Sequence, residues 1–259
     1  MKPGTGKVYL VGAGPGAPDL ITVRAARLLA RADIVFHDAL VHPDTVALAV
    51  NAEKIAVGKR CGRHSTAQRF INKRLIDAAA KFAIVVRLKG GDPMLFGRAQ
   101  EEIDALRDAG VAFEVVPGVT AALAASAELG VSLTRRGVSR SVTFVTPRTG
   151  DGEQARDWTQ CVINADSAAL YMAAGKAREI ASRLIASGMR ADTPVVVVEN
   201  ASLPTMTRTV LPLSQLEHAE EWSLRGPALI LLGEVFRHAA AQPDSSMTVR
   251  EALPEALSA

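Results

Sequence analysis

The sequence predicts an α/β protein of two domains, each a mixed, mainly parallel sheet flanked by helices. Three observations carry the prediction. Short β-branched runs alternate with segments of helical period through residue 116, those runs end in loops rich in glycine or charge, and a second series of strands follows Pro117-Gly118. The first domain is expected over 1–118 and the second over 119–239, with 240–259, which contains Pro243-Asp244-Ser245-Ser246, as a flexible tail.

The first strand, 7–12, runs into Gly12-Ala13-Gly14-Pro15-Gly16-Ala17-Pro18-Asp19. Gly12, Gly14 and Ala17 fit a dinucleotide fingerprint, with Asp33 and Asp38 near the spacing of its ribose-binding acid. That fingerprint works through free N–H groups at the start of a helix. Pro15 and Pro18 remove two such donors and Pro18 disfavours a helical Ala17, which puts the helix off to 22–32. A rigid platform for a flat ligand suits the loop better, with a plain structural turn as the other reading.

The second strand, 33–37, ends in His37-Asp38-Ala39-Leu40. Strand carboxyl ends in an open α/β sheet face the ligand crevice, so Asp38 is placed as a base or hydrogen-bond acceptor. The alternative is a helix cap before Pro43, for which His42 and Asp44 stand nearer. The third strand, 53–57, leads to Gly58-Lys59-Arg60-Cys61-Gly62-Arg63-His64, whose cations suit carboxylate recognition or form a solvated loop. Ile71, Leu75, Ile76 and Ala79 then mark a helix over 66–81.

The fourth strand, 83–88, enters Arg87-Leu88-Lys89-Gly90-Gly91-Asp92-Pro93-Met94-Leu95-Phe96-Gly97-Arg98, and a helix over 97–109 follows. Paired glycines admit a ligand close to the backbone and Asp92-Pro93 fixes a turn. Such a loop can offer carbonyls and a carboxylate to a sulfonium or an amino-acid group. The fifth strand, 112–116, leads through Pro117-Gly118 to a helix of small residues, 120–129, whose first turn can accept a ligand or pack closely on a neighbour. Strands at 141–146, 168–172, 194–199, 207–211 and 228–233, with a helix at 176–187, form the second domain.

Composition narrows the function classes. With 259 residues and 48% hydrophobic content the chain can bury one large core or two modest ones. No apolar run approaches the roughly 18–20 residues of a membrane span. The first six residues lack the apolar segment of a secretory signal, so a cytoplasmic protein is expected. Cys61 and Cys161, without CxxC spacing, read as free thiols, and no metal site is expected. A net charge of +3, 4% aromatic content and clusters at 59–64 and Arg135-Arg136 favour a small polyanion over nucleic acid as partner.

Taken together and in order, Val8-Tyr9-Leu10-Val11-Gly12-Ala13-Gly14-Pro15-Gly16, His37-Asp38-Ala39-Leu40-Val41, Val57-Gly58-Lys59-Arg60, Arg87 through Arg98, Val116-Pro117-Gly118-Val119-Thr120-Ala121 and Ser141-Val142-Thr143-Phe144-Val145-Thr146 resemble the tetrapyrrole methylase family. The resemblance covers about residues 7–236. It implies S-adenosylmethionine (SAM) in the cleft between two α/β domains, S-adenosylhomocysteine as product, and a homodimer. By matching motif it implies SAM contacts from Pro15, Gly90, Gly91, Asp92, Leu95, Thr120, Ala121, Met172 and Ala201. Asp38 and Lys59 fall where the family has its proton acceptor and donor.

The implied reaction is C-methylation of uroporphyrinogen III at C2 and C7, giving precorrin-2 for sirohaem or cobalamin synthesis. A later corrin-pathway precorrin C-methyltransferase is the alternative. The substrate is a polycarboxylate, for which Arg60, Arg63, Arg98, Arg135 and Arg136 are the candidate partners. An idle binding protein conflicts with intact Asp38 and Lys59, and a dinucleotide oxidoreductase with Pro15 and Pro18. Four positions depart from the family pattern, one of them Pro147, which stands where the family has Gly. Ala201 stands where Gly is common, which a positive φ would penalise, and Arg135 and Arg148 stand where the family has imidazoles.

Overall fold

The structure, a computed structural model, describes residues 6–57, 64–150, 154, 156–221 and 226–239. The loop 58–63 and the tail expected at 240–259 lie outside the described residues.

The first half is built from β1 (Lys7–Gly12), α1 (Val23–Ala30), β2 (Ile34–His37), α2 (Pro43–Ala47), β3 (Glu53–Ala56), α3 (His64–Ala79), β4 (Ile84–Lys89), α4 (Ala99–Asp108) and β5 (Ala112–Val116). Its sheet has the order β3-β2-β4-β1-β5 and every pairing is parallel, so it is not mixed. Alternating side chains supply two cores. Val8, Leu10, Ile34, Phe36 and Val85 pack with Leu75 of α3 and with Ile103 and Leu106 of α4. Val11, Val35, Val86 and Leu88 pack with Ala25 and Leu29 of α1 and Val46 of α2. Parallel strands need this two-sided cover, because each return connection crosses one face.

The delayed start of α1 follows from its prolines. A 3₁₀ turn, Pro18–Leu20, comes first, and Thr22 then caps the helix by accepting the Ala25 N–H at 3.3 Å. The connections from β1 to β2 and from β4 to β5 leave adjacent strands in opposite directions across the sheet. That reversal opens a crevice at the carboxyl ends of β1 and β4.

α5 (Ala121–Glu128) leads to the second sheet, made from β6 (Val142–Val145), β7 (Ser167–Tyr171), β8 (Pro194–Glu199), β9 (Thr207–Pro212) and β10 (Ala228–Gly233) in the order β6-β7-β10-β8-β9, with α6 (Thr159–Ile163) and α7 (Ala177–Ala186). The expectation of a mainly parallel sheet fails here. β6 pairs with β7 in parallel, but β10 lies antiparallel to both β7 and β8, and β9 antiparallel to β8. The reason is the ambiguity of continuous apolar runs, which report burial on both faces and not strand direction. Here helices cover both faces of antiparallel strands: Ile180 and Leu184 of α7 pack on Leu170, Val195, Val197 and Ile230. Ala122 and Ala125 of α5 pack on Ala169, Val196, Val198 and Leu231 from the other side.

The 3₁₀ segment Leu213–Glu221 inserts fully buried Leu213 and Leu216 beside α7. No described helix is long and apolar enough to cross a membrane.

Candidate active site

Three loops meet at the carboxyl edge of the first sheet. Gly14 and Gly91 exchange two backbone hydrogen bonds, Gly14 N–H to Gly91 O at 3.3 Å and Gly91 N–H to Gly14 O at 2.7 Å. Gly118 packs so tightly on them that a Cβ there would lie 2.3 Å from Gly91 O. Its N–H donates to Oδ2 of Asp92 at 2.9 Å, while Oδ1 of Asp92 accepts the Met94 N–H at 2.8 Å. Both oxygens of Asp92 therefore brace the turn. Gly90 and Gly91 look the other way, into open space. A Cβ on Gly90 would meet only Leu40 Cβ at 3.7 Å, and one on Gly91 only Thr120 Cα at 3.9 Å.

That open space is a cavity of about 760 Å³, within the size range of small-molecule sites. Pro15, Gly90, Gly91, Asp92, Leu95, Thr120, Ala121, Met172 and Ala201 all line it, and so does Asp38. The second sheet contributes Tyr171, Val198 and Leu229. The loop after β1 is clasped to the loop after β8, where Ser202 Oγ accepts the buried Ala17 N–H at 3.0 Å.

Backbone strain gathers at this rim. Among the described residues, the non-glycines with positive φ are Phe96, Arg98, Met172, Asn200 and Ser202, and all five lie in the loops after β4, β7 and β8. Such conformations persist where the surroundings enforce them, and they cluster at functional sites. Ala201, between two of them, is not in this set, so its methyl group carries no left-handed penalty.

Tyr171 joins the second sheet to α5. Its hydroxyl lies 2.7 Å from Thr120 Oγ1 and accepts the Ala122 N–H at 3.1 Å, where Thr120 itself makes no cap bond. Burial raises the Tyr171 pKa above the ordinary tyrosine value, against the lowering effect of these two hydrogen bonds. The Phe96 ring packs on it at 5.1 Å between centroids.

In the cavity wall and behind it lies a set of paired charges. Arg87 Nη2 donates to Asp38 Oδ1 at 2.5 Å and Arg87 Nε to Glu102 Oε1 at 2.9 Å. Lys89 Nζ reaches both oxygens of Glu102, at 3.0 and 3.1 Å. Burial opposes the charge on Arg87, but Glu102 and Asp38 outweigh it and its pKa is raised. Burial, then the adjacent Arg87, pushes Lys89 below the ordinary lysine value despite Glu102.

The other expected residues are placed differently. Lys59, Arg60 and Arg63 lie outside the described residues. Arg98 stands at the start of α4 and turns onto Glu101, at 2.6 and 2.7 Å. Arg135 and Arg136 are exposed in a turn closed by the paired backbones of Arg135 and Ser139. None of these three lines the cavity, whereas Arg148 does. Lys89, Phe96, Tyr171 and the segment 226–229 also line it without having been expected to. A signal existed for Lys89, since two-residue spacing from Arg87 puts both on one face of β4. No metal-binding cluster occurs among the described residues.

Comparison with known proteins shows the family of the chain. Residues 7–217 match the family described as Tetrapyrrole (Corrin/Porphyrin) Methylases. The chain is 42% identical over 242 residues to a uroporphyrinogen-III C-methyltransferase of Pseudomonas aeruginosa, covering 93% of this chain and 98% of that one. It is 44% identical over 234 residues to siroheme synthase 1 of Klebsiella pneumoniae subsp. pneumoniae, covering 90% of this chain and 50% of that one, so it spans about half the length of that relative. Among solved structures, uroporphyrin-III C-methyl transferase from Thermus thermophilus complexed with S-adenyl homocysteine is similar, with a TM-score of 0.78, 39% identity, and coverage of 90% of this chain and 99% of that one. The chain belongs to the tetrapyrrole (corrin/porphyrin) methylase family.

Proposed function

We propose that this chain is a SAM-dependent C-methyltransferase that converts uroporphyrinogen III to precorrin-2 by methylation at C2 and then C7. The observation that carries the reading is the one cavity that collects Pro15, Asp38, Gly91, Thr120, Met172 and Ala201 from six separate loops. It is supported by 42% identity, over nearly the whole chain, to an enzyme named for that reaction.

The residues suit SAM. Gly90 and Gly91 leave the space that any Cβ would fill, and Leu95, Met172, Val198 and Leu229 offer apolar surface. When bound, SAM supplies a methyl group on a sulfonium, which becomes a neutral thioether as the pyrrole carbon takes the methyl. Asp38 faces the cationic macrocycle left by that transfer and accepts the proton it then loses. Lys59 takes the matching donor role. The rigid loops around Gly14, Gly91 and Gly118 would fix the position of bound SAM relative to the substrate, the source of much of the rate. Arg60, Arg63, Arg98, Arg135 and Arg136 are assigned to the substrate carboxylates.

The same reading includes a homodimer acting in the cytoplasm on a tetrapyrrole, and not on nucleic acid. In favour of the last point, many described cations are neutralised in local ion pairs, such as Arg107 with Asp104, Arg190 with Asp192 and Arg237 with Glu234. Nucleic-acid binding requires cations free to meet phosphates. Calorimetric titration tests the cofactor assignment. S-adenosylhomocysteine is expected to bind and NAD not to, and NAD binding without S-adenosylhomocysteine binding would overturn the proposal.

A further inference from the structure

The four charges in and behind the cavity wall form one chain of contacts, in which Asp38 and Lys89 reach the cavity and only Asp38 is substantially exposed. The side chains of Arg87, Lys89 and Glu102 are 2%, 4% and 0% exposed, against 30% for Asp38. Glu102 accepts from Arg87, from Lys89 and from Gln68 Nε2 at 3.3 Å. Arg87 also donates through Nη1 to Leu88 O at 3.2 Å. Two contacts of the planar guanidinium are thus fixed within the protein, and they determine where Nη2 points, which is at Asp38 Oδ1. Among the described residues, no other group donates to the Asp38 carboxylate.

A closed set of buried ion pairs contributes little net stability compared with apolar residues of the same shape. Stability therefore does not account for two cations and two anions placed at the sheet edge that borders the cavity. We propose that Arg87, locked by Glu102 and Lys89, is a positioning residue that holds the Asp38 carboxylate in the orientation needed to accept the proton released on methyl transfer. Arg87 takes no proton itself and acts only through Asp38. Glu102 fixes Arg87, and Lys89 offsets the charge that Glu102 would otherwise leave buried. The proposal rests on the reading of Asp38 as proton acceptor.

A double-mutant cycle on the full chain tests it, with kcat, KM and S-adenosylhomocysteine affinity measured for Arg87→Gln, Asp38→Asn and the pair. Arg87→Gln is expected to lower kcat by about tenfold or more while changing S-adenosylhomocysteine affinity by less than about threefold. In the Asp38→Asn background the same change is expected to lower kcat no further, because residues that act as a unit are not additive. If the two losses multiply, Arg87 does not act through Asp38 and the proposal falls while the role of Asp38 stands. Full turnover by Asp38→Asn alone overturns both. Should Arg87→Gln fail to fold, Arg87→Lys keeps the cation but loses the fork and carries the same cycle.

Discussion

The hydroxyl of Tyr171, at the end of β7, stands 2.7 Å from the hydroxyl of Thr120 and accepts the Ala122 N–H, so a strand of the second sheet caps the helix that opens beneath the cavity. Tyr171→Phe removes that cap. It is expected to cost about 1 kcal/mol of stability and to weaken S-adenosylhomocysteine binding several-fold, as measured by denaturation and calorimetry. The pH dependence has a definite sign. The raised pKa means that the folded state favours the protonated phenol, so its contribution is fully present below the ordinary value of 10.0 and is lost as pH climbs through the higher folded value. Above about pH 10 the unmodified protein should therefore lose stability more steeply than Tyr171→Phe, and parallel alkaline limbs would contradict this.

Gly91 and Gly118 touch each other but should respond differently to an added methyl group. At Gly118 the new Cβ would strike Gly91 O at 2.3 Å, so Gly118→Ala is expected to destabilise by about 2–3 kcal/mol. At Gly91 the Cβ enters the cavity and the strain is that of a φ of 67°, about 1–2 kcal/mol. Gly91→Ala should thus fold while losing tenfold or more in S-adenosylhomocysteine affinity. Retained affinity would remove Gly91 from the binding wall.

Ser202 is fully buried with a φ of 71° and holds the Ala17 N–H across the two halves of the chain. Ser202→Ala leaves that donor unsatisfied, which should lower stability by about 1–3 kcal/mol in denaturant titrations. Loss of the clasp should also raise hydrogen exchange in the loop 13–17. Unchanged exchange there would show that the clasp is not what orders the loop.

Asp38 lines the cavity but belongs to no brace of the glycine loops. Asp38→Ala is therefore expected to slow methyl transfer by about a hundredfold or more, within the range for loss of a general base, with little change in S-adenosylhomocysteine affinity. Turnover within a few-fold of the unmodified protein would exclude it from proton transfer.

How far the sequence was readable depends on what fixes each feature. The loops after β1, β4 and β5 are legible because glycine and proline constrain the backbone directly, as Pro15 and Pro18 do in delaying α1 to Val23. Strand direction in the second sheet is not legible: Pro194–Glu199 is buried at every position, and that pattern fits a parallel or an antiparallel neighbour equally. Glu102 is hidden for a related reason. It follows exposed Glu101 on a charged helix, which reads as a solvated face, and only the cations of β4 beneath it reveal that it is buried. The conformation at Ala201 could not be read either, because the positive φ falls on its neighbours Asn200 and Ser202.

Methyl transfer from SAM to uroporphyrinogen III, proposed for this cavity, is read out by counting labelled methyl groups on the macrocycle after incubation of the purified chain with methyl-labelled SAM. Two per macrocycle are expected, added in succession at carbon. No label on uroporphyrinogen III, with transfer to a later precorrin instead, would contradict the proposal.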